Sequence, residues 1–288
     1  MRQCRNANKY PYIILGILHL VMLIYAFYKS KDRKKHFILL STYAGFAYIF
    51  EYIVVVLLDA YVYKPTFFKH RVLDNLFGAI LSQLFYVPVT ALFLTVFQLN
   101  WKVKLLFSLL YSLIEKLFVT LRIFNHRWWK TKFTFVLIWV SFLANNQWYR
   151  KIKQGNGTIL FFSLYNMILV TWMNMIALMT FLKQVKYGSG TWKEHIKIPP
   201  LFILPGSLLL AKWAKEGSFL SKLKSLLFMM SIDLFSLKKR IVNVKSLYVL
   251  PIIYLTTILT ASFYKKLIYD DKLCDGMPKG GWTGGNSS

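Results

Sequence analysis

Phe37-Ile-Leu-Leu-Ser-Thr-Tyr-Ala-Gly-Phe-Ala-Tyr-Ile-Phe-Glu51-Tyr-Ile-Val-Val-Val-Leu-Leu58 is an almost unbroken apolar run that contains one carboxylate. It follows a dense basic stretch, Lys29-Ser-Lys-Asp-Arg-Lys-Lys35. About 20 apolar residues in helical form cross about 30 Å of hydrocarbon. The segment therefore reads as a membrane-spanning helix with a cationic linker at the head groups. Similar runs at 11–28, 74–98, 105–124, 133–149 and 158–182 give six spans in the first part of the chain, and these define a first domain over 1–182. The fifth run is the shortest and ends in Asn145, Asn146, Gln147 and Trp148.

Composition agrees with this reading. The 288 residues are 56% hydrophobic and 17% charged, and mean hydropathy is +0.44. Ordinary globular chains are about 25% charged. These values exclude a disordered chain, a collagen-like chain and a typical soluble enzyme. The 37 Lys+Arg against 11 Asp+Glu give a formal net charge of +26. The cations fall between apolar runs, so their expected partner is a bilayer with anionic head groups and not a nucleic acid. Cys4 and Cys274 sit far apart with no CxxC or His-rich tract, which suggests neither a disulfide framework nor a metal site. No cofactor is expected. The positive-inside rule barely discriminates an orientation, and the 29–35 linker favours an external N-terminus.

The remainder, 183–288, reads differently. A polar linker over 183–200 contains Gly188, Gly190, Pro199 and Pro200. Leu201–Ala214 is short and interrupted at Pro205-Gly206, which predicts an interfacial or re-entrant segment. In 218–237 a stripe of Lys222, Ser225, Asp233 and Ser236 lies opposite Leu220, Leu223, Leu227, Met230 and Leu234, as in an amphipathic surface helix with a solvated Asp233. Residues 246–264 give a further span, and the Gly-rich tail 276–288 a disordered end. Loop lengths and polar positions show no internal repeat. The expected fold class is thus all-α: a polytopic helical bundle with a C-terminal amphipathic helix and one more span.

Ionisable residues inside spans are costly and mark functional positions. Glu51, with Tyr48 one turn before it, is the first. Glu115 is the second, and Ser112, Glu115 and Arg122 share a helical face with His126 near it. As a metal ligand His126 lacks a partner: no second His lies three or four residues away, and on a continuous helix Glu115 stands about 16 Å off. These residues form either a polar seam for an ion, proton or lipid, or a set of packing contacts between helices. Pro88 predicts a kink in span three. Trp128 and Trp129, flanked by Arg127 and Lys130, predict interface anchors. No GxSxG, HExxH, Walker or GxGxxG pattern is present, so an enzyme is the less favoured class. Three functions remain open: a seam that binds or passes an ion, proton or lipid; a structural assembly partner within a homo- or hetero-oligomer; and a membrane enzyme acting on a lipid.

Asp74, Gly78, Tyr86-Val-Pro88, Trp101-Lys-Val-Lys104, Leu113-Ile-Glu115, His126 and Trp128-Trp129 occur in an order that resembles an uncharacterised family. Its members are small, roughly five-span membrane proteins of spore-forming Bacillota. The resemblance covers residues 10–182 and is most specific over 86–140. It implies a helical bundle in a bacterial cytoplasmic or spore membrane, with Glu115 and His126 as the family's polar positions. It implies no activity, and it ends near residue 183.

Overall fold

A computed structural model describes residues 8–188, 192–246 and 248–269. Cys4, Gly190, Cys274 and the tail 276–288 lie outside them. Among the described residues nine helices account for most of the chain, which makes the fold all-α. They are α1 (Lys9–Lys29), α2 (Arg33–Leu57), α3 (Arg71–Val96), α4 (Trp101–Thr120), α5 (Thr131–Lys153), α6 (Gly157–Phe181), α7 (Trp192–Glu216), α8 (Phe219–Lys238) and α9 (Val249–Tyr269). Four three-residue strands interrupt them: β1 (Tyr61–Tyr63), β2 (Phe124–His126), β3 (Val185–Tyr187) and β4 (Val242–Val244). Five helices, α1, α2, α3, α6 and α7, are long and apolar enough to cross a membrane. The others have 20 to 23 residues, and 20 residues of helix already measure about 30 Å. The outward faces carry Ile14, Ile17, Val21, Leu109, Leu113 and Leu259. This is a multi-pass membrane protein.

The C-terminal part corrects the sequence-based reading in three ways. First, α7 is one continuous helix through Pro199, Pro200 and Pro205, not a linker followed by a short interfacial segment. Neighbouring helices make such prolines tolerable in a membrane bundle. Gly206 lets α7 approach closely, because a Cβ there would lie 3.0 Å from Trp172 and 3.2 Å from Phe228.

Second, α8 is turned the other way. Ser221, Ser225, Asp233 and Ser236 are buried, while Leu220, Leu227, Leu234 and Phe235 are exposed. Periodicity separates two faces of a helix without saying which one looks inward. In lipid the apolar face looks out, so Asp233 is not solvated. It accepts a hydrogen bond from Tyr254 at 2.5 Å.

Third, the chain does contain an internal repeat. The order helix–strand–helix–helix–strand–helix occurs twice, as α2-β1-α3-α4-β2-α5 and as α6-β3-α7-α8-β4-α9. In each unit the two strands pair antiparallel in the same register. Tyr61 therefore corresponds to Val185, Tyr63 to Tyr187, and His126 to Val244. The residue two places before each strand has left-handed backbone in all four cases: Asp59 (φ 53°), Arg122 (59°), Lys183 (57°) and Arg240 (55°). Arg122-Ile-Phe-Asn-His-Arg127 and Arg240-Ile-Val-Asn-Val-Lys245 are the clearest sequence trace of the duplication. The Tyr52 hydroxyl donates to the Lys197 carbonyl at 3.1 Å, which ties the ribbon end of the first unit to that of the second.

The two units meet along α2 and α6, their first helices. Tyr48 donates to Asn174 Oδ1 at 2.8 Å across this interface. Gly45 lies against Asn166, and a Cβ at Gly45 would come within 2.4 Å of Asn166 Oδ1. Gly45→Leu is expected to lower stability by about 1–3 kcal/mol, as overpacking does. Thermal melting in detergent checks this, and an unchanged midpoint would show that the helices can part without cost.

Candidate functional site

The site is organised by the β1–β2 ribbon at one end of the first unit. Helix α4 ends at Thr120. Leu121 N–H bonds to the Leu117 carbonyl and Ile123 N–H to the Phe118 carbonyl, while Arg122 takes the left-handed conformation that commonly ends a helix. The chain then folds back as β2. His126 is thereby carried beside the helix it has just left, and its Nε2 lies 2.8 Å from Glu115 Oε1. The 16 Å separation predicted for a continuous helix does not occur, because the helix stops six residues before His126. Arg122 is exposed at this turn and does not join the seam.

Glu115 has a second partner. Its Oε2 accepts the Thr134 hydroxyl from α5, and that hydroxyl in turn accepts from Trp129 Nε1 at 2.7 Å. Trp129 is therefore buried in a polar relay and is not an interface anchor. Trp128 stays half exposed and donates to the Leu58 carbonyl at 2.7 Å. Ser112 is buried but donates within its own helix, to the Ser108 carbonyl.

Glu51 is 5% exposed. Its Oε2 accepts the Tyr61 hydroxyl at 2.7 Å, and its Oε1 has no hydrogen-bond partner. Gln83, 6% exposed, has an equally unpartnered Nε2. Both line a cavity of about 90 Å³ between the units, together with Tyr48, Tyr52, Thr180 and His195. Orphaned buried groups cost about 1–3 kcal/mol each and call for an explanation. Both also stand at helix irregularities: a π-helical turn over Tyr52–Leu57 begins right after Glu51, and another over Leu81–Tyr86 contains Gln83 and runs up to Pro88. Pro88 thus stands beside a rewound segment of α3, a feature frequent at functional sites.

The ribbon brings the two carboxylates to one place. Tyr61 and His126 are direct cross-strand partners, so their side chains leave the same face about 5 Å apart. One holds Glu51 and the other holds Glu115. Tyr63 and Phe124, the next pair on that face, contact each other at 5.0 Å between centroids. Glu115, Tyr61 and Tyr63, but not Glu51 or His126, also line a cavity of about 560 Å³ between α2, α3, α4 and α5, walled by Tyr43, Phe46, Phe50, Phe118, Leu137 and Trp148. Phe46, Phe50, Leu137 and Val140 line it and are themselves exposed, so it opens sideways toward lipid.

Several contributors escaped the sequence reading: Tyr61, Gln83, Thr134 and also His19. His19, buried in α1, bonds Thr90 and Tyr111 at 3.1 Å each, beside the cavity wall. His19 and Gln83 were detectable as polar residues in apolar runs, by the rule that flags Glu51. Tyr61 and Thr134 carry no such signal. Among the described residues no group of three His, Cys, Asp or Glu could hold a metal.

The second unit provides an internal comparison. Asp233 stands where Glu115 stands, three residues before the carbonyl that caps the turn. The other polar residues are replaced. Val185 and Val244 take the places of Tyr61 and His126. Ala60 N–H reaches back six residues to Val54, whereas Gln184 N–H reaches back five to Met179. The extra residue belongs to the π turn. Three residues before Met179 stands Ile176, in the place of Glu51. The ribbon architecture thus forms without the Glu51–Tyr61 and Glu115–His126 pairs. Comparison with protein-family models, with curated proteins and with solved structures gives no match.

Proposed function

We propose that the first unit binds the apolar chain of an amphipathic lipid, with the lipid's polar group over the Glu115–His126–Tyr61 floor. The observation that carries this reading is the 560 Å³ side-opening cavity, mostly apolar in its walls, with Glu115, Tyr61 and Thr134 among its few polar groups. Binding sites for small molecules have this character, with mostly apolar lining and a few placed polar groups. Its size favours a lipid chain over a bare ion or proton. The replacement of Glu51, Tyr61 and His126 by apolar residues in the second unit supports a binding role over a packing role. The resemblance to membrane proteins of spore-forming Bacillota supports a bacterial cytoplasmic or spore membrane as the location.

The test is native mass spectrometry of the gently extracted protein beside Ala47→Phe, which places a ring in the cavity. The parent is expected to carry one additional lipid mass per chain, and the variant to carry none at an unchanged melting temperature. Equal lipid content in both would overturn the reading.

A further inference from the structure

The opposite face of the same ribbon borders a second cavity, of about 420 Å³. Four cations line it, one from each of four segments: Lys64 at the exit of β1, Arg71 at the start of α3, Arg127 after β2, and Lys197 at the start of α7. Asp59 is the one carboxylate in the lining, and it pairs with Arg127. The other three, Lys64, Arg71 and Lys197, converge on the same concavity, whose lining holds no second carboxylate. Lys64 is half-buried there, and burial together with the neighbouring Arg71 pushes its ammonium below the usual lysine range. Holding like charges together in this way is unfavourable unless an anion compensates them. Asn75 and Asn125 add amide groups to the same lining.

We propose that this cavity is a binding site for a phosphate group. A phosphate offers three or more acceptor oxygens to cations arriving from several directions, and charge-assisted bonds of this kind are the strong ones. An ordinary juxtamembrane cluster lacks this convergence. The 29–35 linker at the other end of α2 carries five cations in one short segment, and none of them lines the 560 Å³ or the 420 Å³ cavity. The ring of His126 also lines the phosphate cavity while its Nε2 bonds Glu115 on the other side. The two cavities therefore share the ribbon as a wall. The proposal does not depend on the lipid-chain site, because Lys64, Arg71 and Lys197 line only this second cavity.

The test uses the full chain in phosphatidylcholine nanodiscs with and without phosphatidate, and separately with inorganic phosphate as the probe. Lys64→Gln/Arg71→Gln is compared with Lys31→Gln/Lys34→Gln, which removes the same charge from the other end. The first pair is expected to weaken phosphatidate retention about tenfold or more, and the second to leave it within about twofold. If inorganic phosphate competes with phosphatidate, the site takes the free anion as well. If it does not, the site takes the group as a lipid head. Equal losses in the two double variants, or no retention by the parent of either probe, would overturn the proposal. Normal lipid-chain retention in Lys64→Gln/Arg71→Gln separates this outcome from failure of the chain site.

Discussion

Glu115→Gln is expected to reach the membrane, to melt within a few degrees of the parent, and to lose about tenfold or more of its lipid retention. The amide keeps the volume of the carboxylate. Its oxygen still accepts the Thr134 hydroxyl, and a tautomer change lets His126 Nε2 accept the amide N–H. Folding contacts are therefore preserved, while the acid lining the cavity is replaced by an amide. The matching control is Asp233→Asn in the second unit, where Tyr254 can still donate to the amide oxygen. That variant is expected to retain lipid normally, since Asp233 does not line the 560 Å³ cavity. Native mass spectrometry and thermal melting on both proteins decide the matter. Equal loss in the two variants would show that the acids serve the bundle as a whole. No loss in either would make Glu115 a packing residue.

Glu51→Met/Tyr61→Phe should stabilise the protein. The pair removes a buried carboxylate with one unsatisfied oxygen together with the hydroxyl that serves the other oxygen. Replacing both partners of a buried polar contact with apolar groups of similar shape is often neutral or favourable. Relief of the orphaned Oε1 adds about 1–3 kcal/mol. For a chain of this size, that corresponds to a rise of several degrees in melting temperature. The second unit already uses Ile176 and Val185 at these places. The single variant Tyr61→Phe should do the reverse, because it strands the second oxygen of Glu51 as well. A double variant less stable than its parent would mean that a water or ion bridges Glu51 and Gln83 and satisfies both. A stabilised double variant that no longer retains lipid would show that the polar floor is kept for function at the expense of stability, a common trade.

The polar floor was partly legible in the residues. Glu51 and Glu115 stood out because a charge inside an apolar run is rare and expensive. Their partners did not stand out. A continued helix would hold His126 away from Glu115, and a single left-handed residue, Arg122, redirects the chain. Arginine carries no signal for that conformation, unlike glycine. Tyr61 sits in a three-residue strand, too short to show any periodicity. The repeat was hidden for a similar reason. Its units share backbone hydrogen bonds and register, while most of their side chains differ, and only the Arg-Ile-x-Asn-x-Arg/Lys trace survives in the letters.

Sequence alone determined that this chain is a helical, multi-pass membrane protein. Those features rest on the transfer of apolar side chains out of water, which is additive along the chain and needs no knowledge of neighbours. Tertiary structure alone decided which face of α8 turns inward, whether α7 survives its prolines, and that two acids 64 residues apart in sequence, Glu51 and Glu115, share one ribbon face. Each of these depends on what lies across a helix interface or beyond a turn. That is set by the packing of distant segments, which local hydrophobicity does not encode.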